Sequence, residues 1–480
     1  MFRILPVLGI LNLFLAATMI FPLAASWYYG EHETVAFLTA MGITALAGLL
    51  LYLPVPKKGS DITRRQAFLI VAFGWISASI FGAIPFVVSN TFANPLDAFF
   101  ETVSGFTTTG SSVLTSAAIN SFPKGLHVWR AMIQWMGGMG IILLSIAILP
   151  FLGVGGMQMY RAEVPGPFLD KLRPRIAETA KILWQTYLLI TGLEFVFLLL
   201  GGMSIFDSIC HSFTTMATGG FSTRGASIAF FGHYHRVVIT FFMFLAGTNF
   251  ALHYRFLKGG YQGYWLDREF RFYLTIILVA IGILFVYLFF ELGGGWGNHL
   301  EDAAFQVVSI MTTTGYATAD FGAWAPFGQY LLFFLMFIGG SAGSTGGGIK
   351  CIRVMLLYKY AKQELRRIIH PHAVTTVKLG EQNISQSVLN GILGMVILYM
   401  AIFVLASLAM SALGFDIITS ISSVAATLGN IGPGLGMVGP AEHYAHIPGI
   451  GKGILIFCML AGRLEVYTIV ILIFPEFWRK

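Results

Sequence analysis

Residues 97–112 read DAFFETVSGFTTTGSS, and residues 302–317 read DAAFQVVSIMTTTGYA. In both, Asp stands 13 residues before a glycine, Ser stands six before it, and three threonines run directly into it. Two looser copies follow the same plan: DSICHSFTTMATGGFS at 207–222 and DIITSISSVAATLGNI at 416–431. Gly219 and Gly429 take the glycine place there, with Asp207 and Asp416 near the start.

The surroundings of these copies are apolar. Of the 480 residues, 56% are hydrophobic and 11% charged, and the mean hydropathy is +0.77. That composition describes an integral membrane protein. A helix needs about 20 apolar residues to cross the hydrocarbon core. Ten stretches qualify, at about 4–28, 34–53, 66–89, 128–152, 180–202, 236–257, 270–292, 327–357, 386–413 and 449–475. The first exceeds the roughly 7–15 residue apolar core of a signal sequence. Lys and Arg gather in alternate connections: Lys57, Lys58, Arg64 and Arg65; Arg161, Lys171, Arg173 and Arg175; Arg255, Lys258, Arg268 and Arg271; and Lys350 to Lys378. The positive-inside rule puts these connections, and both termini, in the cytoplasm. The net charge of +7 is therefore a topology signal and a docking surface for a cytosolic partner or anionic lipid, not a nucleic-acid footprint. Cys210, Cys351 and Cys458 are isolated, with no metal-ligand spacing. No catalytic dyad or nucleophile arrangement stands out, so the sequence does not read as an enzyme.

Each copy of the motif fills the gap between two stretches, dividing spans three to ten into four units of helix, re-entrant segment and helix. The units run 61–155, 156–262, 263–378 and 379–480, behind a two-helix segment at 1–60. The expected fold is all-α: four pseudo-repeated units around a central ion pore, plus the two N-terminal helices. About 12 residues separate each Asp from the end of its segment, enough for a half-depth helix. Non-helical backbone at that depth must be enclosed by protein or line a watery cavity. Asp suits a helix N-terminus, and the four negative C-terminal ends then point to a centre that favours a cation. Glycine past each end lets carbonyl oxygens turn inward, the way cation filters replace a hydration shell. A single copy would read as hydroxyls bonded to their own helix and a glycine used for packing. Recurrence at matched spacing carries the filter reading.

On these residues the chain resembles the Trk/Ktr/HKT superfamily of potassium transporters, bacterial TrkH/TrkG type, over essentially its whole length. The resemblance implies one filter glycine per repeat, at Gly110, Gly219, Gly315 and Gly429, in place of the full TVGYG of tetrameric potassium channels. Filter carbonyls then come from Thr109, Gly110 and Ser111; Thr218, Gly219 and Gly220; Thr314, Gly315 and Tyr316; and Leu428, Gly429 and Asn430. It further implies K⁺ as the transported ion, no cofactor on this chain, a homodimer in the bacterial inner membrane, and a cytosolic nucleotide-binding partner of the TrkA type.

GGSAGSTGGGIK at 339–350 interrupts the eighth stretch with six glycines: Gly339, Gly340, Gly343, Gly346, Gly347 and Gly348. At about 1 kcal/mol each relative to Ala, they disfavour a continuous helix. The phosphate-loop pattern fails because Ile349 separates the glycines from Lys350. By resemblance this loop is an intramembrane gate beneath the filter. Arg463, a permanent cation within the last span, must face water, a partner or the bundle interior. By resemblance it points into the ion path as an electrostatic barrier. Sodium permeation, coupling to H⁺ or Na⁺, and an ion-coupled solute carrier remain open; the last predicts inverted repeats.

Overall fold

The computed structural model describes residues 4–53, 63–147, 172–293, 296–372, 376–380 and 382–479. The expected end of the fourth span at 152, the unit boundaries at 60/61 and 155/156, and Lys57, Lys58, Arg161 and Lys171 lie outside them. The chain is an all-α membrane protein. Six of the described helices are long and apolar enough to cross a membrane, and two bent helix pairs add two more. Large apolar side chains such as Phe14, Leu50, Leu278, Phe290 and Leu405 stand exposed on the bundle exterior, the surface that lipid covers in a multi-pass protein.

The first two helical stretches, Leu5–Tyr28 and Thr34–Tyr52, form a hairpin. They cross so closely that a methyl group on Gly9 would lie 2.7 Å from the Gly48 carbonyl oxygen, the small-residue packing that brings membrane helices together. The Glu31 carboxylate pins this hairpin to the bundle, accepting the Lys124 and Gly125 N–H groups at 2.6 and 2.9 Å. Those N–H groups open the helix Lys124–Ala147, where a negative charge is favoured.

Four short helices then enter the bundle, one between each later pair of spans: Pro95–Phe106, Ile205–Met216, Trp296–Met311 and Ile417–Leu428. Beyond the exposed first turns, their polar and apolar residues alike are mostly buried. The Asp residues at their starts play different parts from one another. Asn94, Ser204 and Asp416 are the N-caps, accepting the N–H groups of Asp97, Asp207 and Thr419 at 2.9, 3.0 and 3.1 Å. Asp97 and Asp207 therefore lie one turn inside, and Asp302 lies within a longer helix. All three hold other elements: Asp97 pairs with Lys452, Asp207 with Arg224 at 2.7 Å, and Asp302 accepts from Thr318 at 2.9 Å.

The helices that follow the re-entrant segments are where the expected spans need correction. The sixth, expected to be continuous, is His233–Ala246 and Phe250–Leu257, bent by 102°. The tenth is Gly449–Arg463 and Tyr467–Ile473, bent by 117°, with Glu465 and Val466 at positive φ in the break. The eighth is interrupted as the glycines require, between Pro326–Leu335 and Cys351–Ile369.

Candidate ion pathway

Each re-entrant helix ends in the same hydrogen-bonded closure. The amide four residues after the helical acceptor closes the last turn, donated by Thr107, Ala217, Thr312 and Gly429. The next residue, Thr108, Thr218, Thr313 or Asn430, turns left-handed at φ of 51, 52, 61 and 54°. The residue after that donates back five positions: Thr109 to Ser104, Gly219 to Thr214, Thr314 to Ser309, and Ile431 to Ala426, all at 2.8 Å. This is the Schellman pattern, which satisfies helix-end carbonyls by reversing the chain. The next residue is a glycine at positive φ in every case: Gly110, Gly220, Gly315 and Gly432, at 83, 77, 80 and 108°.

The equivalence by hydrogen bonding thus shifts the sequence alignment. Gly219 lies one place before the left-handed glycine, and Gly429 lies three places before it. Gly429 is a right-handed helix cap, Leu428 is the last helical residue, and Asn430 takes the place of Thr108. Thr109, Gly110, Thr314 and Gly315 stand at equivalent places in their repeats, and Thr218, like Asn430, takes the place of Thr108. Ser111 and Tyr316 follow the glycines, as Phe221 and Pro433 do in the other two copies.

The four glycines close a ring. A methyl on Gly110 would lie 2.3 Å from the Gly219 carbonyl oxygen, and one on Gly220 would lie 2.0 Å from that of Thr314. One on Gly315 would lie 1.8 Å from the Ile431 oxygen, and one on Gly432 would lie 2.8 Å from the Thr109 oxygen. Each repeat's glycine thus abuts the carbonyl just before the next repeat's glycine, and the fourth returns to the first. Glycine is required twice over, for its φ and for this approach. The ring opens into a depression lined by Gly110, Gly220, Gly315 and Gly432 together with Arg224, Glu442 and Tyr444.

Side chains inside each re-entrant helix fasten the returning strand. Glu101 accepts from Ser112 Oγ at 2.9 Å and from the Val113 N–H at 3.0 Å. His211 Nε2 lies 3.0 Å from Ser222 Oγ. The Gln306 amide oxygen accepts from the Thr318 and Ala319 N–H groups at 2.9 and 3.2 Å. Ser422 Oγ accepts the Leu435 N–H at 2.9 Å and donates to its carbonyl at 3.0 Å. No sequence pattern marks these four, because their residue types differ and Ser422 stands ten residues before its ring glycine where the other three stand nine. Arg130, also unsuspected, pairs with Glu101 at 2.6 Å in full burial.

Beneath the ring lies the glycine loop, its ends zipped by a two-residue parallel pairing of Ile338–Gly339 with Ile349–Lys350. Thr345 Oγ1 donates to the carbonyls of Met216 and Ala246 at 3.0 and 3.1 Å. The Gly347 N–H donates to Thr313 Oγ1 at 2.6 Å. Methyl groups on Gly346 and Gly347 would come within 3.0 Å of the Thr312 oxygen and 2.4 Å of the Gly429 oxygen. The loop therefore touches the ends of three re-entrant helices. Arg463 reaches the fourth quadrant: Nη1 donates to the Thr345 carbonyl at 2.8 Å and Nη2 to that of Gly137 at 3.2 Å. Gly137 in turn packs on the Phe106 carbonyl. Lys350 Nζ donates to the Gly346 carbonyl within the loop. The Gly343 carbonyl accepts from the Phe250 N–H and the Gly340 carbonyl from the Cys351 N–H, so the loop is held at its margins too. Gly348 is left-handed at φ 61°.

A family model described as TrkH, cation transport protein, matches residues 33–480. The Trk system potassium uptake proteins TrkH of Salmonella typhimurium and of Escherichia coli are each 42% identical over 479 residues, covering 99% of this chain and 98% of each relative. The Escherichia coli Trk system potassium uptake protein TrkG is 34% identical, covering 98% of this chain and 97% of that relative. The crystal structure of the potassium transporter TrkH from Vibrio parahaemolyticus matches with a TM-score of 0.92 at 38% identity, covering 100% of this chain and 99% of that one.

Proposed function

Because the chain belongs to the TrkH cation transport family, we propose that it carries K⁺, and with it Rb⁺, inward across the bacterial inner membrane through the glycine ring. It is a transporter, not an enzyme. The observation that carries this reading is the closed ring of carbonyls from Thr109, Gly219, Thr314 and Ile431, each held against a neighbouring repeat's glycine. Such oxygens substitute for the hydration shell of a monovalent cation. Four helix C-termini aimed at the same centre add negative potential.

The loop 339–348, with Lys350 and Arg463, acts as the gate. It fills the space below the ring, and Arg463 adds a cation to the path of a cation. The basic residues of alternate connections support cytoplasmic termini and a docking face for a cytosolic nucleotide-binding subunit of the TrkA type. Arg366 and Arg367 at the end of Cys351–Ile369 belong to that face. A homodimer completes the reading, by family resemblance.

Uptake of radiolabelled Rb⁺ into liposomes holding the purified protein tests it, with excess K⁺ or Na⁺ as competitor. Competition by K⁺ and little by Na⁺ is the expected result; equal competition favours a sodium-permeable pore, and no uptake with or without the cytosolic partner overturns the reading. A second reading, coupling to H⁺, is favoured by Glu194, a fully buried acid on the helix Leu172–Leu200. Coupling predicts that Glu194→Gln flattens the pH dependence of uptake.

A further inference from the structure

The strand of the second repeat is held differently from the other three. Gln134, fully buried on the helix Lys124–Ala147, reaches across the repeat boundary to it. Its Nε2 donates to the Gly219 carbonyl at 2.6 Å, and its Oε1 accepts the Phe221 N–H at 3.1 Å. The two backbone partners fix which way the amide points, since the carbonyl takes only the NH₂ group and the N–H only the oxygen. Between them lies Gly220, left-handed at φ 77°. One side chain therefore brackets a ring glycine and bonds a ring carbonyl.

The doubled glycine of TGGF follows from this clamp. Gly220 supplies the left-handed turn, whereas Gly219 makes room: a methyl there would lie 2.4 Å from the Gln134 side chain. Arg130, four residues earlier and so on the same helix face, holds the same strand, its guanidinium 4.1 Å from the centre of the Phe221 ring.

The clamp occupies one quadrant. In the fourth repeat, Met459 stands three residues before Gly462, as Gln134 stands three before Gly137. Both glycines pack on the last carbonyl of their own re-entrant helix, Leu428 at 2.0 Å and Phe106 at 1.9 Å from a methyl. Methionine has no N–H to donate. Among the described residues, the ring carbonyls of Thr109, Thr314 and Ile431 receive no side-chain hydrogen bond, while that of Gly219 does.

We propose that Gln134 is a specificity-determining positioning residue, fixing one carbonyl of the ring and so setting which monovalent cation the ring prefers. The inference rests on the filter reading of the ring. A carbonyl oxygen held by a hydrogen bond resists the inward movement that a smaller ion requires. It also shares a lone pair with the amide, which weakens the field it offers the ion. Both effects disfavour Na⁺ relative to K⁺.

The test is K⁺ and Na⁺ binding to the full-length purified protein in detergent, read as cation-dependent shifts in melting temperature, which do not depend on the gate. Gln134→Leu keeps the bulk and removes both bonds; Gln134→Glu keeps the acceptor for Phe221 and removes the donor. Loss of one buried hydrogen bond corresponds to about a threefold to tenfold drop in the K⁺/Na⁺ affinity ratio. That drop is expected for Gln134→Leu and, in smaller measure, for Gln134→Glu. A ratio equal to the parent's overturns the proposal, and Gln134→Glu decides the matter if Gln134→Leu does not fold. Gly315→Ala separates the two layers. If it alters the ratio and the Gln134 variants do not, only the clamp falls; if it also leaves the ratio intact, the filter reading itself falls.

Discussion

Arg463 donates from Nη1 to the carbonyl oxygen of Thr345 at 2.8 Å, joining the end of the last membrane helix to the crown of the glycine loop. The bond lies at the level where the re-entrant helices end, so one residue both ties the loop and places a charge below the ring. A cation at mid-membrane is disfavoured by about 3 kcal/mol on insertion scales. The Arg463→Ala variant is expected to raise Rb⁺ influx into liposomes several-fold, as tether and barrier vanish together. Unchanged influx, or lost influx with poor yield of folded protein, would assign Arg463 to structure alone.

The loop has a second anchor on the opposite side. Glu269 Oε1 accepts the Ala342 N–H at 2.7 Å and the Ile352 N–H at 3.1 Å, so one carboxylate oxygen holds both limbs of the loop. Glu269→Leu removes the acceptor of both bonds. Basal Rb⁺ influx without any cytosolic subunit should rise, by less than in Arg463→Ala. Influx equal to the parent's would show that the paired strands Ile338–Gly339 and Ile349–Lys350 suffice to hold the loop.

The ring glycines differ from the other glycines of the same motifs in a measurable way. Gly110→Ser and Gly432→Ser each force a side chain onto a neighbouring carbonyl at a left-handed position. Both are expected to erode the preference for K⁺ over Na⁺ in competition uptake, whichever repeat is altered. A preference that changes for Gly110→Ser and stays constant for Gly432→Ser would break the fourfold equivalence.

Stability should hinge on the buried pair Glu101 and Arg130, joined at 2.6 Å. Glu101→Gln leaves the guanidinium buried without its counter-charge, a change that costs about 3–5 kcal/mol in comparable pairs. The melting temperature of the purified protein should fall markedly, and Arg130→Met added to Glu101→Gln should recover much of the loss. A Glu101→Gln variant as stable as the parent would show that solvent from the depression at the ring, which Arg130 also lines, reaches the pair.

The sequence by itself determined the class of protein, the order of its spans, the four re-entrant segments between them, and the break in the eighth span. These are local properties: apolar run length, recurrent spacing, and six glycines where a helix would otherwise continue. Only the tertiary structure decided which glycine of each motif takes the left-handed place in the ring. Gly219 and Gly429 looked right because residue identity was being matched. The register is in fact counted from the last closed turn of each helix, and that count selects Gly220 and Gly432. The demand for glycine comes from a carbonyl in the next repeat, about a hundred residues or more away in the chain, and no local pattern records it. The same holds for Gln134 and Arg463, polar residues within apolar helices whose partners are backbone groups of other repeats. The bends of the sixth and tenth spans were hidden for a related reason. Their breaks carry no glycine run, and Glu465 and Val466 are held at positive φ by surroundings that include the pairing of Glu465 with Arg353.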